Sequence, residues 1–242
     1  MFYYLLPALA SYNVVLVVAA VVPALFLMIR AYKSDRLEKE PPALLWRLAI
    51  AGVLSSLIAL VVERVLGYVL SAAVSQDSKL YDVLLYFVVV AFGEEGAKYF
   101  MLKRRTWHSA EFNCQYDGVV YALFVSLGFA LWENISYVMT YGFSTALIRA
   151  LTAIPGHACF GVFMGAFYGV AKRYDNFGWP EKSRQSSILA LVVPTLLHGA
   201  YDFIATRMSD EGTLFFVAFI AAMFIVAFRV VKNLSERDQY IY

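Results

Sequence analysis

Apolar residues along the chain fall into long blocks separated by short polar stretches. Runs can be drawn at about residues 13–29, 44–70, 81–102, 118–139, 147–171, 187–206 and 213–231. Each approaches the roughly 20 residues a helix needs to cross about 30 Å of hydrocarbon. The pattern predicts an all-α, polytopic transmembrane bundle of about seven spans, organised as a single membrane-embedded domain over 1–242.

Composition sharpens this picture. Of 242 residues, 61% are hydrophobic and 16% charged, against roughly 45–50% and 25% in a soluble domain. Seven spans use up the length, so any chemistry has to sit on the helices and their short loops. The lipid bilayer is the expected surrounding, and no nucleic-acid partner is expected. The opening MFYYLLPALASY has no basic n-region and no clean small-residue cleavage site, so the first run reads as a retained helix. Cys114 lies in a loop and Cys159 inside an apolar run, which predicts no disulfide between them.

Lys and Arg are retained on the cytoplasmic side during insertion, so their distribution sets the orientation. They gather in alternate connections: Arg30, Lys33, Arg36, Lys39 and Arg47; Lys103, Arg104 and Arg105; Lys172, Arg173, Lys182 and Arg184; and Arg229, Lys232 and Arg237. The intervening connections hold one each, Lys79, Arg149 and Arg207. This alternation predicts the N-terminus outside and the C-terminus in the cytoplasm. Glu63 and Arg64, near the outer end of the second run, read as an adjacent pair snorkelling to the interface, without function. Gly156, Gly161, Gly165 and Gly169 in the fifth run read as a surface for close helix packing.

Ionisable residues inside a span are costly unless paired or hydrated, and each one asks for a reason. Glu94, Glu95 and Lys98 lie in the third run, Glu133 and Asn134 in the fourth, His157 in the fifth, and His198 and Asp202 in the sixth. At 1.5 Å rise per residue, Glu94, Glu95, Glu133, His157 and His198 fall within roughly 7 Å of the middle of their runs. Lys98 follows Glu94 by four positions and Glu95 by three, so it can pair with either carboxylate. His198 and Asp202 share a helical face, and the aspartate can orient the imidazole. Peptide-bond hydrolysis needs a water, a base and a group to stabilise the oxyanion, and this set can supply them. His157, His198 and Glu133, or a glutamate of the third run, make a possible zinc ligand set, although no His-Glu-x-x-His motif is present. His108 reads as an exposed loop residue. A proton-coupled transporter and a non-catalytic scaffold that binds membrane helices are the alternatives to a protease; the transporter reading calls for internal repeats and interrupted helices, neither of which the sequence shows.

At these residues the sequence resembles the PrsW family of intramembrane proteases, itself distantly similar to the CAAX-prenyl protease and bacteriocin-processing group. The motifs run in order: Glu94-Glu95-x-x-Lys98; Asp117-Gly118; Gly128-Phe129 leading to Phe-x-x-x-Glu133-Asn134; Pro155-Gly156-His157; and His198-x-x-x-Asp202. The resemblance implies endoproteolysis of a membrane-protein substrate, such as an anti-sigma factor in regulated intramembrane proteolysis, in a bacterial plasma membrane. It implies that Glu94, Glu95 and His198 are essential, that Glu133 and His157 join them as catalytic residues, and that Lys98, Asp202, Asn134 and Asp117 support them. It leaves open a zinc ion or a metal-free, glutamate-activated water, and implies no organic cofactor. Where the CAAX group has a histidine after Phe-x-x-x, this sequence has Glu133; where that group has an arginine four residues after its second glutamate, this one has Lys98 three after.

Overall fold

The computed structural model describes residues 2–207 and 210–241, with the side chains of 2–12, 210 and 211 outside the description. The expectation of a retained N-terminal segment falls on that first stretch. Among the described residues the chain is helical: α1 (Phe2–Ser34), α2 (Pro42–Ala73), α3 (Lys79–Leu84), a π-helical turn (Leu85–Ala91), α4 (Phe92–Thr106), α5 (Asp117–Tyr141), α6 (Phe143–Leu151), α7 (Ala153–Asn176), α8 (Pro180–Ala205) and α9 (Asp210–Glu236). Six segments are long and apolar enough to span a membrane: 13–34, 42–73, 117–141, 143–176, 180–205 and 212–236. The third predicted span is the continuous rod α3–π–α4, whose Glu94, Glu95 and Lys98 keep it from being uniformly apolar.

Two spans are interrupted where periodicity predicts continuous helix. The π turn at Leu85–Ala91 stands immediately before Glu94 and Glu95, where one extra residue per turn re-aims everything that follows. The fifth run breaks at Thr152, separating α6 from α7. Pro155 accounts for the break, because its ring excludes the carbonyl four positions earlier, at Leu151, while proline is tolerated in the first turn of α7. Gly142, at φ 86°, makes the preceding turn into α6.

The centre of the bundle is α5, packed against α1, α2 and α7. Its buried face runs almost unbroken from Asp117 to Ala130. Small residues allow the close crossings. A side chain added at Gly161 would stand 2.9 Å from the Ser126 Cβ, and one at Gly118 would meet the backbone of Gly169 at 2.6 Å. Gly161, Gly165 and Gly169 are therefore the packing surface that their spacing predicts, while Gly156 faces only the Tyr201 and Phe160 rings at ordinary contact distance. Cys114 and Cys159 are both buried free thiols, and His108 is exposed.

The four basic-rich segments come together at one end of the bundle. The Gln115 N–H donates to the Gln239 carbonyl and the Ile241 N–H to the Asn113 carbonyl. Ser235 donates to the Ser34 carbonyl, and Arg173 to Gln115. This common end is the structural counterpart of the charge alternation read from sequence.

Candidate active site

Glu94, Glu95 and Lys98 occupy successive positions on the inner face of α4. Glu95 and Lys98 have no solvent-exposed surface. The Lys98 ammonium donates to Glu95 Oε1 at 2.7 Å, to Glu94 Oε2 at 3.2 Å and to His157 Nδ1 at 3.1 Å. It also lies 4.0 Å from the centre of the Phe129 ring. All three ammonium donors are thus engaged, so the buried charge is fully solvated by protein.

His157 enters from the first turns of α7 and His198 from the second half of α8. Their rings lie 5.4 Å apart, and Phe160 stacks on His198 at 4.7 Å. Each ring has a carboxylate at its outer nitrogen: Glu133 Oε2 lies 2.8 Å from His157 Nε2, and Asp202 Oδ2 lies 3.3 Å from His198 Nε2. The inner nitrogens face α4: His198 Nδ1 lies 2.9 Å from Glu95 Oε1 and 3.9 Å from Glu94 Oε2, and His157 Nδ1 faces the Lys98 ammonium. Beyond Glu133, Arg149 of α6 contacts Glu133 at 2.9 Å and donates through Nε to Asn134 Oδ1 at 3.0 Å. Fully buried Asn134 in turn donates to the Ala20 carbonyl of α1 at 2.9 Å. Six helices are tied into one polar network.

The donor set fits a divalent metal. One ligand atom each from Glu94, Glu95, His157 and His198 lies within 4.8 Å of all the others, and all four residues are buried. With Glu133 and Asp202 at the two Nε2 atoms, each ring would be free to ligate through Nδ1, the carboxylate–histidine arrangement that orients a ligating imidazole. Glu95 Oε2 is buried with no hydrogen-bond partner, an orphaned acceptor on one of the four residues of the set. Five carboxylates, those of Glu63, Glu94, Glu95, Glu133 and Asp202, face two permanent cations, Lys98 and Arg149.

A cavity of about 720 Å³ opens over this network, walled by Phe129, Phe160 and Phe216 and with Glu94, His157 and His198 on its floor. Its rim includes the exposed apolar residues Leu57, Leu60, Trp132 and Ile148. Along α5 the network lies about 12 Å from the Tyr141 end and about 24 Å from the Asp117 end. α4, α7 and α8 likewise overrun their apolar runs at the basic end. The network is therefore nearer the opposite end of the helices, while still central to the apolar stretches.

Eight of the nine residues singled out from sequence come together here; Asp117 does not. It starts α5 and accepts the N–H groups of Asn113 and Cys114 at 3.0 and 2.7 Å, tying down the loop before its own helix. Two residues were misjudged by sequence. Glu63 turns into the cavity rather than out to an interface, while its neighbour Arg64 is exposed as expected. Arg149, read as a lone basic residue of an outer connection, belongs to the network. The one signal for Arg149 was its place in the apolar stretch FSTALIRAL. Of the two ligand sets open from the sequence, the one with third-run glutamates is the one that converges: Glu94 and Glu95 lie with His157 and His198, while Glu133 is engaged at the outer edge of His157 by Arg149.

Comparison with known proteins agrees with the motifs. Residues 40–229 match the family described as PrsW family intramembrane metalloprotease. The chain is 34% identical over 218 residues to a protein named Protease PrsW from Oceanobacillus iheyensis, covering 90% of this chain and 95% of the relative. It is 34% identical to the protein of that name from Bacillus subtilis, covering 79% of this chain and 83% of the relative. The one from Clostridioides difficile is 33% identical, covering 92% and 90%. No solved structure matches the chain. With six apolar spanning segments around a buried Glu-Glu-His-His set, and with that match over most of its length, the chain belongs to the PrsW family of intramembrane proteases.

Proposed function

We propose that the chain cuts a peptide bond in a membrane-embedded substrate segment entering the cavity through its apolar rim, at a centre formed by Glu94, Glu95, His157 and His198. The observation that carries this reading is the convergence of four buried donor residues, one of which, Glu95, has an oxygen without a partner. Glu94 lines the cavity, whereas Glu95 lies behind it against Lys98 and His198. This division makes Glu94 the base that takes a proton from the attacking water and returns it to the departing amine. Glu95 and Lys98 hold the geometry and charge of the centre. Glu133 and Asp202 fix the ring orientations of His157 and His198, and Arg149 with Asn134 holds Glu133.

Zinc held by His157, His198 and Glu95 would acidify a bound water and polarise the scissile carbonyl, with Glu94 left free as the base. A metal-free version has one observation in its favour: the Lys98 ammonium already lies 2.7, 3.2 and 3.1 Å from three of the same donors. In that version Lys98 supplies the positive charge and Glu94 alone activates the water.

The basic end of the bundle faces the cytoplasm in this reading, and the cut falls toward the opposite end of the helices. The substrate class is a membrane-anchored regulator of the anti-sigma-factor kind, with a single span that fits beside α2, α5 and α6. Purified protein in detergent, mixed with a tagged single-span anti-sigma factor, tests the reading. Cleavage abolished by Glu94→Gln and by His198→Ala, with both variants folded, is the expected result; cleavage by either variant at the wild-type rate would overturn it.

A further inference from the structure

A second buried acidic cluster lies at the basic end, about 24 Å along α5 from Glu133. Asp35 follows α1, Glu40 precedes α2, and Asp117 opens α5; one carboxylate oxygen from each lies within 4.8 Å of the other two. All three residues are buried, Asp35 to 1% exposure. Tyr121 donates to Glu40 Oε2 at 2.8 Å, and two backbone N–H groups donate to Asp117 Oδ2. Asp35 differs from both: neither of its oxygens has a hydrogen bond of normal geometry, though the side chain is enclosed among the other acids.

Positive charge is short here. Lys39, beside Glu40 in sequence, spends its ammonium on the carbonyls of Tyr32, Lys33 and Asp35 at the end of α1. Arg36 pairs outward with Glu236 at 3.8 Å. Among the described residues no lysine or arginine forms an ion pair with Asp35, Glu40, Asp117 or Asp238. Burial pushes Asp35 up to about 6, against the lowering effect of Lys39, and pushes Glu40 up to about 7.

We infer that Asp35, Glu40 and Asp117 bind a hard divalent cation, Mg2+ or Ca2+, in an all-oxygen site separate from the catalytic centre. Oxygens 2.1–2.5 Å from a common ion lie at most about 4–5 Å apart across it, which is the spread of this cluster. Three carboxylates and no soft donor among them select Mg2+, Ca2+ or Mn2+ over zinc. The ion would act as a clamp. Asp117 neighbours Cys114 and Asp238 in a second acidic group, and Asp238 accepts the Tyr116 N–H at 2.9 Å. The C-terminal tail then pairs with residues 113–115. A cation here joins the α1–α2 connection, the start of α5 and the tail.

The test uses the full chain in detergent carrying Glu95→Gln and His198→Ala, so that the catalytic donors are disabled. After chelation, Mn2+ is titrated and followed by electron paramagnetic resonance, with Ca2+ and Mg2+ as competitors. The site predicts one saturable Mn2+ equivalent, displaced by Ca2+ or Mg2+ and lost when Asp35→Asn is added. It also predicts that Ca2+ or Mg2+ raises the melting temperature of the parent, because only the folded state holds the ion, and does not raise that of the Asp35→Asn protein. Absence of a saturable equivalent in the parent overturns the inference and leaves an acid cluster that shares protons. An equivalent that survives Asp35→Asn also overturns it. Should Asp35→Asn fail to fold, the parent's titration and its melting shift decide alone.

Discussion

Single residues divide into those whose spacing spoke for them and those whose surroundings did. The i, i+3 and i+4 relations of Glu94, Glu95 and Lys98, and of His198 with Asp202, were legible because helical geometry alone places such pairs together. Glu63 and Arg149 were not, because what decides them is how α2 and α6 are rotated toward α5, a matter of tertiary contact. Asp117 was legible as a motif residue but not in location, which follows from the length of α5. Arg149→Ala removes the group that holds Glu133 against His157, and cleavage is expected to fall roughly 10- to 100-fold with the fold intact, as for other residues that orient a ligating histidine. Arg149→Lys, which keeps the charge but not the fork between Glu133 and Asn134, is expected to recover only part of it. Equal rates in wild type and Arg149→Ala, measured on the same substrate, would remove Arg149 from the network. Asn134→Ala leaves the Ala20 carbonyl and the Arg149 Nε without their partner. It is expected to lower stability by about 1–2 kcal/mol, in the range of interhelical polar contacts in membranes, read as a lower melting temperature in detergent.

Elements were read well in number and poorly in continuity. Hydropathy located the six apolar spanning segments, because length and apolarity follow directly from the bilayer; the third expected run folds as α3, the π turn and α4 and is not among those six. The π turn before Glu94 carries no hydropathy signal, since its residues LYFVVVA are as apolar as any helix. Only Pro155 announced the α6–α7 break. Interruptions of this kind also occur in transporters, so they do not separate the two functions; the family match does. Contacts between elements rest on small residues. Gly165 faces the backbone of Gly118 and Val119, with nothing flexible to yield. Gly165→Leu is therefore expected to separate α7 from α5, costing at least the about 1–3 kcal/mol of an overpacked core. Gly96→Ala is the control: it meets nothing within 4 Å. It is expected to hold or raise the melting temperature, gaining up to about 1 kcal/mol of helix propensity. Equal melting temperatures for wild type and Gly165→Leu would contradict the close crossing.

For the whole molecule, the alternation of basic connections proved to be a real geometric feature, because the structure gathers all four at one end. The side of the membrane they face follows from the positive-inside rule. With the native cysteines replaced, a cysteine at Arg104 is expected to react with a membrane-impermeant maleimide only in permeabilised cells, and one at Ser75 in intact cells. The reverse pattern would invert the orientation. Depth was less legible: apolar runs report where lipid lies, whereas α4, α7 and α8 continue past it at the basic end, which leaves the polar network off-centre in the helices.

The central claim, that Glu94, Glu95, His157 and His198 form a metal-binding catalytic centre, is tested most directly by metal content measured together with cleavage. Protein purified without added chelator should contain one zinc per chain. His157→Ala and Glu95→Gln proteins should contain much less, and chelation should stop cleavage until zinc is restored. Full cleavage by metal-free wild-type protein would contradict the metal centre and leave Glu94 with Lys98 as the working pair.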